Sequence, residues 1–252
     1  MSGRWAGGGQ ILNECRTNAR LHLLLPEAES SPDSVRLAQS LAAAIGISTQ
    51  TEDITPILNA AGCYRRLDEA IQKVVSSYGD GYKCKLALPA GVDGASYPVF
   101  SIVVQSPDGS KTKTRLTYEA YLGIVAATDV KRRTRKKLEY YYVVQNYYPV
   151  AEIPNRLEYD QGFFVKNGDG AAVLKPIAHL YKSQVYQLAA YLGIPEEICR
   201  QSPTTETYPL EQSQEEFCFS MPLATMDLCM YGKNNGIPAA GVAAALRARM
   251  PL

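Results

Sequence analysis

From Leu21 onward the chain alternates short apolar runs with segments of helical period. LHLLLP, Leu21 to Pro26, is a brief apolar run closed by proline, which predicts a buried strand. Ser31-Pro32-Asp33 is a helix-start signal: a hydroxyl cap, then a proline and an acidic residue in the first turn. Val35, Leu37, Leu41 and Ile45 then recur near helical spacing as far as Gly46, and a second short strand is expected over Ser48 to Ile54. Strand, helix and strand in about 35 residues form one unit of a parallel sheet.

Residues 82–117 break that rhythm. YKCKLALP, YPVFSIVVQSP, the Asp108-Gly109 pair and SKTKTRL read as β-hairpin strands around a DG turn. They predict a hairpin insertion in an α/β domain. A helical pattern resumes at Thr117 and runs through IVAATDVKRRTRKKLEYYYVV. A further helix fits Ser183 to Leu192, closed by Gly193 with Pro195 beyond it, and AAGVAAALRARMPL fits one more.

Composition narrows the class. The chain has 252 residues, enough for one large α/β domain, with the 46% hydrophobic content of an ordinary globular protein. A net charge of +1 gives no overall argument for a nucleic-acid or membrane partner. No apolar run approaches the roughly 18 residues of a membrane span. The first nine residues lack the apolar core of a secretory signal. Six cysteines without a CxxC pair, and two histidines, point away from a structural metal and toward reduced thiols in the cytoplasm.

The densest chemistry lies between Pro154 and Tyr231. PNRLEYDQGFFVKNGDGAAVLKPIAHLYKSQVYQLAAYLGIPEEI, SPTTETYPLEQSQEEF and MDLCMYG occur there in order, preceded by DITPILNAAGCYRRLDEAI and IVAATDVKRRTRKK. Across roughly residues 21 to 242 this series resembles the catalytic domain of the NAD synthases, N-type ATP pyrophosphatases. The resemblance implies a Rossmann-like adenine-nucleotide α-hydrolase fold: a parallel sheet flanked by helices, forming one domain over 1–252 with the hairpin insertion at about 82–117. It implies ATP-dependent amidation of deamido-NAD by ammonia through an adenylated carboxylate, with Mg2+. It also implies a homodimer, with ammonia taken from solution or from a separate glutaminase subunit.

By the same resemblance Glu158 is the magnesium ligand, and Lys182 and Thr204 face the ATP phosphates. Arg135 and Lys166 hold deamido-NAD. The residue types fit these roles. Magnesium takes a hard oxygen, phosphate a mobile cation and a hydroxyl, and a planar guanidinium gives bidentate grip. The basic run Lys131 to Lys137 also admits a nucleic-acid reading or a solvated helix face. The resemblance instead assigns its Arg135 to the dinucleotide. The seventeen tyrosines, including Tyr140 to Tyr142 and Tyr147-Tyr148, read as core or subunit interface.

The sequence also departs from the family pattern. Gly-Thr is replaced by Glu152-Ile153, so a phosphate-side hydroxyl becomes hydrocarbon, and a substrate-binding aspartate is replaced by Val173. The family's Ser-Gly-Gly-x-Asp-Ser phosphate loop would precede the LLLPE strand by roughly two dozen residues, one strand-to-helix unit. That places it at or before Met1. Ser2 to Gly7 is its nearest counterpart and lacks the aspartate, and the chain ends before the family's basic C-terminal segment. The resemblance therefore implies a degenerate or truncated member. Two alternatives stay open: an inactive homologue acting as a binding or dimerisation partner, and a ligase for another carboxylate.

Overall fold

A computed structural model of the protein describes residues 21–87, 100–201, 203–204, 207–215, 217 and 221–249. The Ser2 to Gly7 segment, Cys15 and Cys218 lie outside the described residues.

Strand β1 (Leu21–Leu24) and strand β2 (Ser48–Thr51) pair in parallel, with Leu21 opposite Ser48 and Leu24 opposite Thr51. Parallel neighbours need a crossover, and helix α1 (Pro32–Ala44) supplies it. Pro32 costs nothing there, because the first N–H groups of a helix have no partner within it. The apolar stripe of α1, with Leu37 and Leu41, packs on Ala189, Ile194 and Ile198. The start of the chain's α/β unit is thereby fixed to its C-terminal half, and Arg36 adds a 2.6 Å ion pair to Glu197.

Two helices follow, α2 (Thr55–Ala60) and α3 (Cys63–Gln72), turning at Gly62, whose φ is +66°. Strands β3 (Lys83–Ala87), β4 (Ser101–Gln105) and β5 (Lys111–Arg115) form a three-stranded antiparallel sheet in the order β3-β4-β5. Its apolar face, with Cys84, Leu86, Ile102 and Val104, closes on Leu67 and Ile71 of α3.

Helix α4 (Tyr118–Asn146) has 29 residues, a rod about 43 Å long at 1.5 Å per residue. Thr117 caps it by accepting the Ala120 N–H at 3.2 Å. Its first turns pack on α3 so closely that a Cβ on Gly123 would lie 2.8 Å from the Ala70 Cβ. Its middle meets the end of β1, where the buried Lys131 ammonium bonds Glu27 at 3.1 Å and also Glu29. Its last turns outrun the core. The expected burial of the tyrosine-rich stretch is not met within one chain: Tyr141, Val144 and Tyr147 are exposed, Tyr147 at 96%.

Beyond α4, an isolated parallel bridge joins Ala151 to Leu174. Helices α5 (Arg156–Asp160), α6 (Lys182–Tyr191), α7 (Glu196–Cys199), α8 (Leu223–Asn234) and α9 (Ala239–Arg249) complete the described chain. Helix α6 ends at Gly193, whose φ of +70° suits a glycine stop. No helix among the described residues is long and apolar enough to cross a membrane.

Candidate active site

The short helix α5 begins with a capping box. Asn155 Oδ1 accepts the Glu158 N–H at 3.2 Å, and Glu158 Oε2 accepts the Asn155 N–H at 2.9 Å. Glu158 is 0% exposed, and its Oε1 accepts from Gln214 Nε2 at 2.9 Å. Thr204, half-buried, is bridged antiparallel to Ser213, and the Gln214 N–H donates to Pro203 O at 2.8 Å. Residues 213–214 therefore connect Glu158 to the threonine segment.

Lys182 opens α6 and is buried, with its ammonium 5.8 Å from the centre of the Tyr186 ring. The first N–H groups of α6 are closed by Asp227 of α8, which accepts from Lys182 N at 3.2 Å and Ser183 N at 2.7 Å. An acidic side chain at a helix start is favoured by the helix dipole. Ile153 is also buried, packed with Ile177 and Val185. Its hydrocarbon side chain is matched by these apolar neighbours.

The residues assigned to the dinucleotide lie along α4 and the 165–173 loop. Arg135 is half-buried and donates from Nε to Leu25 O at 3.0 Å. Lys166 has an exposed side chain, and its carbonyl accepts Arg133 Nε at 3.2 Å. Val173 is 67% exposed and donates its N–H to Val150 O at 3.2 Å. Asp169 closes the loop by accepting the Val165 N–H at 2.7 Å, and Tyr140 donates to Ala171 O at 2.7 Å. Arg132 joins the two groups of residues, donating to Thr207 Oγ1 at 2.9 Å with a nitrogen 3.7 Å from Asp169.

Glu152 stands beside Ile153 and is buried against Lys136, which also pairs with Glu139 at 2.5 Å. Burial, then the neighbouring Glu139 charge, pushes the Glu152 carboxyl up to about 7. Burial also raises Glu139, against the pull of Lys136. Lys136 is held above its usual range because the two carboxylates outweigh its own burial.

Sequence reasoning does not reach Arg132, Lys136, Gln214 and Asp227 as parts of this framework. Arg132 and Lys136 belong to the basic run that the sequence singles out, in which the structure half-buries Arg132 and buries Lys136. Gln214 and Asp227 carry no local signal, since their partners lie 56 and 45 residues away. Among the described residues no group of three or more His, Cys, Asp or Glu side chains is arranged to hold a metal ion. Cys63, Cys84, Cys199 and Cys229 are free thiols.

Solved structures share this α/β architecture. NMN synthetase from Francisella tularensis superposes with a TM-score of 0.64 at 20% identity, covering 92% of this chain and 74% of that one. NH3-dependent NAD synthetase from Campylobacter jejuni gives 0.54 at 17% identity, over 99% and 84%. At these identities the likeness establishes the Rossmann-like α/β fold.

Sequence comparison goes further. The NAD synthase family model matches residues 100–236. The NH(3)-dependent NAD(+) synthetase of Rhizobium meliloti (strain 1021) is 55% identical over 217 residues, 86% of this chain and 65% of that protein. Its counterpart in Mesorhizobium japonicum is 53% identical over 224 residues, 89% and 70%. The chain belongs to the NAD synthase family, and it spans about two thirds of the length of these relatives.

Proposed function

We propose that the protein is an AMP-forming carbon–nitrogen ligase that makes NAD from deamido-NAD, ammonia and ATP. The observation that carries this reading is the gathering of Glu158 and Thr204 around residues 213–214, in a family whose relatives are named for NH3-dependent NAD synthesis. In the first step a nicotinate carboxylate oxygen attacks the α-phosphorus, and the bond to pyrophosphate breaks. In the second, ammonia adds to the carbonyl carbon, AMP leaves with one carboxylate oxygen, and the nitrogen loses a proton.

Both steps develop negative charge on phosphate oxygens, so fixed cations and hydroxyls accelerate them. Lys182 and Thr204 fill that role on the ATP side. Arg135 and Lys166 hold the dinucleotide. Glu158 holds Mg2+, an ion that keeps most of its water and needs one or two carboxylates plus substrate phosphates. That ion, when bound, neutralises the triphosphate.

The same reading takes residues 1–252 as one domain with the three antiparallel strands inserted. It describes a cytoplasmic homodimer whose ammonia comes from solution or from a separate glutaminase. A second reading, a non-catalytic homologue that binds partners, is favoured by Glu152, Ile153 and Val173 at positions where the family carries glycine, threonine and aspartate. The test supplies ATP, magnesium and ammonium with deamido-NAD or with other carboxylates, and follows product by chromatography. NAD formed from deamido-NAD supports the ligase. Product from another carboxylate alone reassigns the substrate. Tight ligand binding with no product supports the second reading.

A further inference from the structure

Gln214 is 2% exposed and holds two buried polar atoms in different situations. Its Nε2 donates to Glu158 Oε1 at 2.9 Å. Its Oε1 has no hydrogen-bond partner among the described residues. The opposite amide orientation would set the carbonyl oxygen against a carboxylate oxygen, so chemistry fixes which end faces Glu158. The Gln214 backbone is anchored as well, through its N–H to Pro203 O at 2.8 Å, directly before Thr204.

Folded chains pair nearly all of their buried polar atoms, and an orphan marks a place where a donor, water or ion belongs. The orphan oxygen and the Glu158 carboxylate are both hard oxygens, the donor set that magnesium prefers. We infer that Gln214 is a positioning residue for a hydrated divalent cation: its N–H holds the Glu158 carboxylate, and its Oε1 accepts a hydrogen bond from the cation's water. The inference rests on the proposed role of Glu158. A neutral oxygen fits this position, because a second carboxylate beside Glu158 would raise the proton affinity of both.

Gln212 supplies an internal control. It too is buried with an unpartnered Oε1, but its amide donates to Leu86 O in the antiparallel sheet. The experiment measures retention of Mn2+, as a spectroscopic substitute for Mg2+, by the full chain with ATP, following the free-ion paramagnetic resonance signal. Gln214→Met should weaken Mn2+ retention about tenfold, the scale of a lost hydrogen bond to a charged group. Gln212→Met should lower the melting temperature and leave Mn2+ retention at the native level. Should Gln214→Met not fold, Gln214→Asn is read the same way, since the shorter amide cannot reach Glu158 and the cation's water together.

A folded Gln214 variant that retains Mn2+ as the native chain does would overturn the inference while leaving Glu158 in its role. If the native chain retains no Mn2+, or Glu158→Gln leaves retention unchanged, the role of Glu158 fails and this inference fails with it.

Discussion

The Arg132 guanidinium donates to the Thr207 hydroxyl at 2.9 Å, joining the basic helix α4 to the segment that carries Thr204. The same side chain lies 3.7 Å from Asp169, whose other oxygen closes the 165–169 turn. One arginine thus holds together the elements assigned to ATP and those assigned to the dinucleotide. Arg132→Met should lower unfolding free energy by about 2 kcal/mol, as expected for a mostly buried charge-assisted bond. Urea denaturation measures this, and a loss within a few tenths of a kcal/mol would make the link incidental.

Glu152 gives the protein a pH-dependent stability. Its carboxyl rises from an ordinary value of 4.5 to about 7 on folding, so between those values the folded chain holds more protons than the unfolded one. Stability is therefore gained as pH falls from about 7 to about 4.5 and lost as pH rises through the same window. Glu152→Gln leaves Lys136 its bond to Glu139. The variant should be more stable than the native chain at pH 8, by roughly 1–3 kcal/mol given 1.36 kcal/mol per pKa unit, and the advantage should vanish near pH 4.5. Melting curves across that range test it, and parallel curves for the two proteins would contradict it.

Much of the fold is legible in the sequence because its signals are local. Pro32, the Asp108-Gly109 turn, the period of α4 and Gly193 each set an element boundary without knowledge of the rest of the chain. Helix α3 is also within reach: Cys63, Leu67, Ala70 and Ile71 are its buried face at helical spacing. Helices α5 and α7, with 5 and 4 residues, are too short to show a period. The motif nominates the candidate residues but not their bonding, because Glu158–Gln214 and Lys182–Asp227 are contacts between distant segments. The packing of Ile153 on Ile177 and Val185 is likewise a contact between separate segments that residue type alone does not show.

The two halves of the site should separate kinetically. Arg135→Ala removes the contact proposed for the dinucleotide and should raise KM for deamido-NAD at least tenfold, with a smaller change in KM for ATP. Lys182→Met keeps the buried stem and removes the charge, so it should lower kcat by about 10²–10³-fold, as for one lost electrostatic donor. Steady-state kinetics with each substrate varied in turn decides this. The reverse pattern would exchange the roles of the two residues.

Tyr141, Val144 and Tyr147 form an exposed apolar end on α4, and the proposed homodimer would cover it. Light scattering of the native chain should give a dimer mass, and Tyr147→Ser with Val144→Ser should shift the equilibrium toward monomer. A native chain that stays monomeric at every accessible concentration would contradict the assembly.

The most direct test of the proposed chemistry follows one oxygen atom. Deamido-NAD labelled with 18O in its nicotinate carboxylate is incubated with the protein, ATP, magnesium and ammonium, and the products are separated for mass spectrometry. Attack of the carboxylate on the α-phosphorus predicts one 18O in each AMP, with NAD and pyrophosphate formed in equal amounts. Label in inorganic phosphate with ADP as the nucleotide product, or NAD formed alongside unlabelled AMP, would contradict it.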